Sequence, residues 1–143
     1  MKRIRNILAI IFATLMLFSS ITTCFASSNK ELLEQRSTYN YVNSCTSTIS
    51  YSGGKIVGEV RLTGVNSYVT YNGTVSIQRK YGLIWIDIEE WTGITRTGNF
   101  YFSDNSITPA EGETYRVKYN VKATYSGDTE TVKGNSLSAV YNP

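Results

Sequence analysis

The chain has 143 residues, with fourteen basic and eleven acidic side chains, no histidine and a formal net charge of +3. The lack of histidine excludes Ser-His and Cys-His nucleophilic catalysis, imidazole metal sites and a histidine pH switch. Because only two cysteines are present, Cys24 and Cys45, a disulfide scaffold and a cysteine zinc cluster are also excluded.

The first 26 residues have the layout of a secretory signal peptide. A short basic stretch, residues 2–5, precedes an apolar run from Ile7 to Phe18, and small and polar residues lead up to Ala26. A membrane-spanning helix needs about 20 apolar residues, so this run predicts no membrane span. We therefore expect cleavage after Ala26 and release of a secreted, extracellular protein.

Cleavage removes the apparent basicity of the chain. Lys2, Arg3 and Arg5 leave with the signal peptide, whereas every acidic residue lies beyond residue 30, so the remaining chain has equal numbers of both charges. A neutral chain gives no electrostatic reason to expect nucleic acid or an anionic membrane as partner.

A lipid anchor on Cys24 is the alternative to release. A lipoprotein signal places a small residue directly before the lipidated cysteine, but Thr23 occupies that position here. Since Ala26 fits an ordinary signal peptidase better, we favour release and keep lipidation at Cys24 as the minority alternative.

A single domain follows the signal peptide. Residues 27–42 are polar and contain one short helical patch, which predicts a flexible N-terminal tail. From residue 43 onward Thr, Tyr, Val and Ile dominate and are interrupted by Gly, Asn and Asp, a composition typical of strands and turns. We therefore assign residues 43–143 to one β-domain.

The strands show the period of two that one buried face produces. In residues 113–125, the odd positions from Tyr115 to Ala123 are apolar or aromatic and the even positions between them are polar. Residues 83–88 are nearly all apolar, which predicts a strand covered on both sides with Trp85 as a structural core residue. Turn signals, including Asn72-Gly73, delimit about seven strands near 44–51, 55–64, 73–80, 83–91, 98–103, 113–125 and 129–141.

These strands predict an all-β fold. A single antiparallel sheet of this size would leave an apolar face in water, and no crossover helix separates the strands. We therefore predict an antiparallel β-sandwich of about seven strands with no internal disulfide.

One segment carries a resemblance to known domains. Pro109 to Val117 resembles the E–F corner of fibronectin type III and immunoglobulin-like domains, in which a turn rich in Pro and Gly precedes a strand opened by Tyr. The resemblance implies that Tyr115 is structural and that its hydroxyl bonds to nearby backbone. Val117 stands where antibody-type domains have their second cysteine, so the paired cysteines of those domains are lacking.

The wider pattern is similar to small secreted single-domain proteins of Gram-positive, clostridia-type bacteria, which have no assigned activity. It covers about residues 45–141 and consists of residues 53–56, 75–79, Trp85 and residues 112–123. Such a likeness implies a fold and a compartment, and it implies no reaction.

The only concentration of carboxylates is Asp87, Glu89 and Glu90. Glycoside hydrolysis needs two carboxyl groups about 5 to 9 Å apart, and Asp87 and Glu89 would share a strand face at nearly 7 Å. Both would nevertheless lie on one strand instead of on opposite walls of a cleft. We expect an exposed strand end and no catalytic residue, and a hydrolase using Asp87 with Glu89 or Glu90 is the remote alternative.

Exposed aromatic side chains are the better binding candidates. Tyr and Trp stack on sugar rings, and their polar edges suit wet interfaces. Trp91, expected to be the more exposed tryptophan, and Tyr81 and Tyr125 near turns are the candidate ligand-binding residues. The alternative for each tyrosine is an ordinary edge or core position.

Two further residues each have two interpretations. Cys45 either packs in the core, which we favour, or forms an intermolecular disulfide in a homodimer. Asn72 fits an N-glycosylation pattern with Thr74, but Asn72-Gly73 also fits a hairpin turn, which we favour.

These features favour a secreted, non-catalytic binding or interaction module with an unknown protein or carbohydrate partner outside the cell. The alternatives are a carbohydrate-binding module using exposed Tyr and Trp, and a component that self-associates through an open strand edge or Cys45. No cofactor is expected, and no metal, since Asp104 and Asn105 offer too few oxygen ligands for calcium.

Overall fold

Eight β-strands form two antiparallel sheets in the computed structural model, which describes residues 39–143. The sheets pack face to face, so the predicted antiparallel β-sandwich is confirmed. One sheet has the order β1-β2-β5, and the other has the order β4-β3-β6-β7 with β8 pairing on the start of β6. The strands are β1 (Val42–Ser52), β2 (Lys55–Gly64), β3 (Thr70–Tyr81), β4 (Ile84–Thr97), β5 (Asn99–Asp104), β6 (Thr114–Tyr125), β7 (Asp128–Asn135) and β8 (Ala139–Val140).

Several sequence predictions concern residues outside this range. The signal peptide at residues 1–26, the lipidation alternative at Cys24 and residues 27–38 of the predicted tail all lie outside the described residues. Within residues 39–143 the structure has no helix that could cross a membrane.

The core lies between the two sheets and is built by the predicted alternation. Along β6 every second side chain is buried, and these are Tyr115, Val117, Tyr119, Val121 and Ala123. β2 and β3 add the buried side chains Ile56, Val60, Leu62, Tyr71, Val75 and Ile77. Each sheet has one apolar face, and burying these two faces against each other stabilises the two-layer arrangement.

The last predicted strand, residues 129–141, is divided into β7 and β8. Ser136, at the break, is buried, and its backbone N–H donates to Val117 O at 2.8 Å. Its hydroxyl accepts the N–H of Val117 at 2.9 Å, so a side chain takes the place of a ladder partner. Pairing with β6 resumes at Ala139.

Asn72-Gly73 do not form the predicted turn, because both residues lie inside β3. A Cβ on Gly73 would lie 2.6 Å from Val121 Cγ2 and 2.8 Å from Val121 Cα. Glycine is therefore required by the close approach of β6, and the pairing of β3 with β4 shifts register between Gly73 and Val75.

β4 is not covered on both sides, contrary to prediction. It lies at the edge of the larger sheet, and Ile84, Ile86 and Ile88 are 60%, 42% and 36% exposed. The opposing sheet has only three strands and is therefore narrower. Its edge strand, β5, covers only part of β4.

Trp85 is likewise not a core residue, so that prediction is wrong. It lies half-buried on the outer face of the larger sheet, where the guanidinium carbon of Arg116 is 4.1 Å from the centre of its ring. The tryptophan thus packs against an arginine side chain from the same sheet.

The sandwich starts earlier than the predicted boundary at residue 43. β1 begins at Val42, and the rings of Tyr39 and Tyr41 pack against the core. The backbone N–H groups of Asn40 and Tyr41 donate to the Glu130 carboxylate at 2.8 and 2.7 Å. These charge-assisted bonds attach the last residues of the predicted tail to β7.

The corner before β6 confirms the structural role predicted for Tyr115. Its side chain is buried, and its hydroxyl accepts the backbone N–H of Ala110 at 3.0 Å. The bond fixes the loop that enters β6.

Candidate functional site

The three predicted ligand-binding residues lie in three separate places. Tyr81 is 65% exposed at the β3–β4 hairpin, and Tyr125 lies at the other end of the sandwich, where its ring packs against Tyr41. Trp91 lies in the middle of β4 and is half-buried, as is Trp85. The three residues therefore do not form one patch, and of the three only Trp91 lines the concave surface beside β5.

That surface is the open side of the sandwich between β4 and β5, here called the seam cleft. Each of these strands is the last in its sheet at that side, so no hydrogen-bonded ladder joins β4 to β5. Trp91 closes the core along this line, with its ring centre 4.9 Å from that of Phe102. The seam cleft thus has an aromatic floor at the boundary between core and solvent.

The seam cleft has a volume of about 660 Å³, within the range of small-molecule sites, and it is wide open to solvent. Its walls combine aromatic, carboxylate and guanidinium groups. The residues that line it are Glu90, Trp91, Thr92, Ile94 and Arg96 from β4 and Tyr101, Phe102, Ser103 and Asp104 from β5. This mixture can stack on a flat apolar surface and hydrogen-bond to hydroxyl groups beside it.

Tyr101 is held on the outer side of the seam cleft by its neighbours on β2. It points outward because Phe100 and Phe102 on either side of it point into the core. The Arg61 guanidinium lies 4.6 Å from the centre of the Tyr101 ring, and the hydroxyl donates to Glu59 at 3.2 Å. Its ring is thereby oriented while 44% of the residue stays exposed.

Asp87 lies outside the seam cleft and is bound to its own sheet. Its Oδ1 atom accepts hydrogen bonds from the Ser76 hydroxyl and the Gln78 side-chain amide, both at 2.8 Å. Its Oδ2 atom lies 3.4 Å from the ammonium group of Lys118. Partial burial alone would raise the pKa of Asp87, but these hydrogen bonds and the lysine charge outweigh it and lower the pKa.

The Asp87–Glu89 pair of the hydrolase alternative is not on one face, contrary to prediction, whereas Glu90, which pairs with Ser76, lies on the same face as Asp87. Asp87 pairs with Gln78 and Glu89 pairs with Ile77, with a register shift between them. Gln78 and Ile77 are strand neighbours and point to opposite faces, so their partners do so too. The bulge at Ile88 therefore separates the carboxylates that a regular strand would have aligned.

Cys45 is buried, which supports the core-packing alternative. It is 1% exposed, and its thiol donates to the Tyr119 hydroxyl at 2.9 Å. Burial raises the pKa of the thiol by more than the hydrogen bond between the thiol and Tyr119 lowers it. An intermolecular disulfide at Cys45 would require β1 to open.

No group of three cysteine, aspartate or glutamate side chains in residues 39–143 is placed to hold a metal ion. Of the residues that line the seam cleft, the sequence selected only Trp91 as a binding candidate and named Glu90 only in the hydrolase alternative, and it did not select Arg96, Tyr101 or Asp104. The outward orientation of Tyr101 could have been predicted from its neighbours Phe100 and Phe102. In a strand that alternates strictly, the residue between two core phenylalanines points outward.

Comparisons of the chain with protein-family models, curated proteins and solved structures found no match. The geometry of the fold and of the seam cleft is therefore the basis for the functional inference.

Proposed function

We propose that the protein is a secreted, non-catalytic binding module that recognises a carbohydrate outside the cell through the seam cleft. The observation that carries this proposal is the open groove that Trp91 lines together with Glu90, Arg96 and Asp104, with Tyr101, which is 44% exposed, on its outer side. Sugars present flat C–H faces and a rim of hydroxyl groups, and aromatic rings beside charged hydrogen-bonding groups match both.

We further propose that the sandwich is of the immunoglobulin or fibronectin type III kind. In support, the first, second and fifth strands form one sheet, and the third, sixth and seventh belong to the other. The fourth strand joins the third, and the Tyr115 hydroxyl bonds back to Ala110 in the corner before β6. The likeness to small secreted clostridia-type proteins and the signal-like first 26 residues support export.

The assignment as a non-catalytic protein is supported by the state of the carboxylates. Asp87 accepts three polar contacts and has a lowered pKa, which favours an ionised, structural carboxylate over a general acid. Glu89 lies on the other side of β4.

A binding assay with cleft variants tests the proposed function. The purified protein would be titrated with soluble β-linked glucose and N-acetylglucosamine oligomers while the change in tryptophan fluorescence or the heat is recorded. We expect saturable binding of at least one probe. Tyr101→Ala and Arg96→Ala should each weaken it roughly tenfold, equivalent to about 1.4 kcal/mol.

Tyr68→Ala is the matched control, because Tyr68 is 76% exposed and is not among the residues lining the seam cleft. Equal loss of affinity in Tyr68→Ala and Tyr101→Ala would contradict the assignment of the seam cleft. Intact-mass measurement of the protein released by its host cells, under reducing and non-reducing conditions, tests export, cleavage after Ala26 and lipidation at Cys24 together.

A further inference from the structure

The β3–β4 hairpin presents an apolar strand edge that nothing in residues 39–143 covers. This hairpin edge comprises residues 83–88, in which Leu83 is 98% exposed and Ile84 is 60% exposed. Tyr81 at the base of the turn is 65% exposed. Such a cluster of large apolar side chains is unusual on the surface of a monomer and indicates a contact surface.

The hairpin edge extends beyond the opposing sheet. β5 ends at Asp104, which pairs with Gly58 of β2. A Cβ on Gly58 would touch Ile77, and Ile77 is the β3 partner of Glu89. The strand residues before Glu89 therefore lie past the end of β5, so their inner face has no partner from that strand.

Between Ile84 and Asp87 the hairpin edge also lacks the bulges and prolines that normally prevent pairing, and the bulge at Ile88 marks the end of this regular stretch. Exposed edges are protected by bulges, prolines and charges. In β4 both register shifts lie at or after Ile88, and Glu89 and Glu90 follow directly. From Ile84 to Asp87 the strand is regular, and the only charge in the hairpin edge, Asp87, lies 3.4 Å from the Lys118 ammonium.

We propose that the hairpin edge pairs with the same edge of a second copy of this chain. The pairing is antiparallel about a two-fold axis at Ile86, so each Ile86 faces its counterpart and each Ile84 faces Ile88 of the second copy. An isologous contact of this kind closes on itself and gives a dimer. It joins the two larger sheets into one continuous sheet and shields the isoleucines from water.

Charge complementarity on the outer face supports a second copy as the occupant. In this register Trp85 of one chain faces Asp87 of the other, because both residues are one position from the axis. The Arg116 guanidinium already lies 4.1 Å from the centre of the Trp85 ring. Each arginine is thereby brought towards the carboxylate of the second copy, and this happens twice in the dimer.

The small contact area of the hairpin edge determines the affinity that we expect for the dimer. Six residues per chain form a contact smaller than the roughly 800 Å² per partner of a standard interface. We therefore expect a reversible dimer with a Kd on the order of 10–100 µM. This dimer is independent of the proposed carbohydrate binding, because the residues of the seam cleft begin at Glu90.

Sedimentation velocity of the purified protein, from about 1 µM to about 1 mM, tests the proposal because this range brackets the expected Kd. We expect a concentration-dependent shift from monomer to dimer. Ile86→Lys places a charge on the axis and should weaken the dimer roughly tenfold or more. Thr97→Lys, at the exposed far end of the same strand, is the matched control and should leave the dimer unchanged.

Cysteine cross-linking tests the register without a disruptive substitution. Under oxidising conditions Ile86→Cys should form a disulfide-linked dimer by itself. Ile84→Cys and Ile88→Cys should cross-link to each other in a mixture, and much less each with itself. Native Cys45 remains as an internal control because it is 1% exposed.

A protein that stays monomeric at every concentration overturns the proposal. This holds even if the monomer binds phospholipid vesicles or another protein through the hairpin edge. A dimer that Ile86→Lys leaves intact, or that cross-links equally at all three positions, overturns it as well.

Discussion

Gln78 on β3 lies directly opposite Asp87 on β4, and its side-chain amide donates a 2.8 Å hydrogen bond to the carboxylate. Gln78 is 5% exposed although it lies on the outer face of the sheet. Its amide oxygen accepts the Arg116 Nε–H at 2.7 Å, so one glutamine links β4 to β6. Asp87 is thus part of the network that holds the edge strand in place, which explains a conspicuous carboxylate without assigning it a reaction.

Asp87→Asn tests this network. The amide keeps the size of the side chain but loses the charge and one acceptor, so we expect a loss of about 1 kcal/mol of unfolding free energy at pH 7. Because the folded pKa of Asp87 is lowered, its contribution is present above the unfolded value of about 3.9 and is lost as the pH falls through the folded pKa.

Urea unfolding of both proteins at pH 7 and near pH 2 checks the Asp87 prediction. The gap in unfolding free energy should narrow as the pH falls. A gap of the same size at both values would show that the charge has no structural role.

Tyr115→Phe removes the acceptor of the Ala110 N–H bond while keeping the ring in the core. We expect the unfolding free energy to fall by roughly 1 kcal/mol or somewhat more, since the loop N–H is left unpaired. Tyr81→Phe, at a position 65% exposed, is the control and should be neutral. Identical stabilities of the two variants in chemical denaturation would argue against the corner as a structural device.

The buried thiol of Cys45 should be nearly inert in the folded protein. A 1% exposed thiol with a raised pKa offers little thiolate to a reagent, so labelling by a disulfide reagent should occur only on unfolding. We expect native labelling at least about a hundredfold slower than labelling in denaturant. Rapid native labelling, or a Cys45-linked dimer on non-reducing mass measurement, would support the intermolecular disulfide instead.

Gly73 and Gly58 should respond differently to alanine. The new Cβ at Gly73 would meet the backbone of Val121 at 2.8 Å, which cannot move without separating two strands. At Gly58 it would meet the side-chain methyl carbons of Ile77 and Val117 at 3.1 Å, and these can adjust. We expect Gly73→Ala to cost about 3 kcal/mol or more and Gly58→Ala about 1 kcal/mol in thermal or urea unfolding. The reverse order would contradict the packing described for Gly73.

The sequence predicted the parts of the fold that depend on one strand at a time. The alternation in residues 113–125 reports one buried face, and β6 buries that face. The apolar run at 83–88 could not be interpreted in this way. A strand buried on both faces and an uncovered edge strand can have the same apolar sequence. Only the width of the opposing sheet distinguishes the two cases. The turn predicted at Asn72-Gly73 was wrong for a similar reason. In the sequence, a glycine required by close contact between two strands looks the same as a glycine required by a turn.

The candidate site was predictable only in part. Trp91 was identified as an aromatic residue expected to be exposed, but its half-buried position depends on Phe102 from β5. Asp87 and Glu89 lie on opposite faces because of the bulge at Ile88, and no local sequence pattern predicts this bulge. Both features arise from pairing between segments distant in sequence.

The most direct test of the proposed function is a titration of isotope-labelled protein with the tightest-binding oligosaccharide, followed residue by residue through amide NMR shifts. We predict that the largest shifts map to the seam cleft, on Trp91 to Arg96 and Tyr101 to Asp104. Saturable shifts confined to another face of the sandwich, or no shifts with any of the oligomers at millimolar concentration, would contradict it.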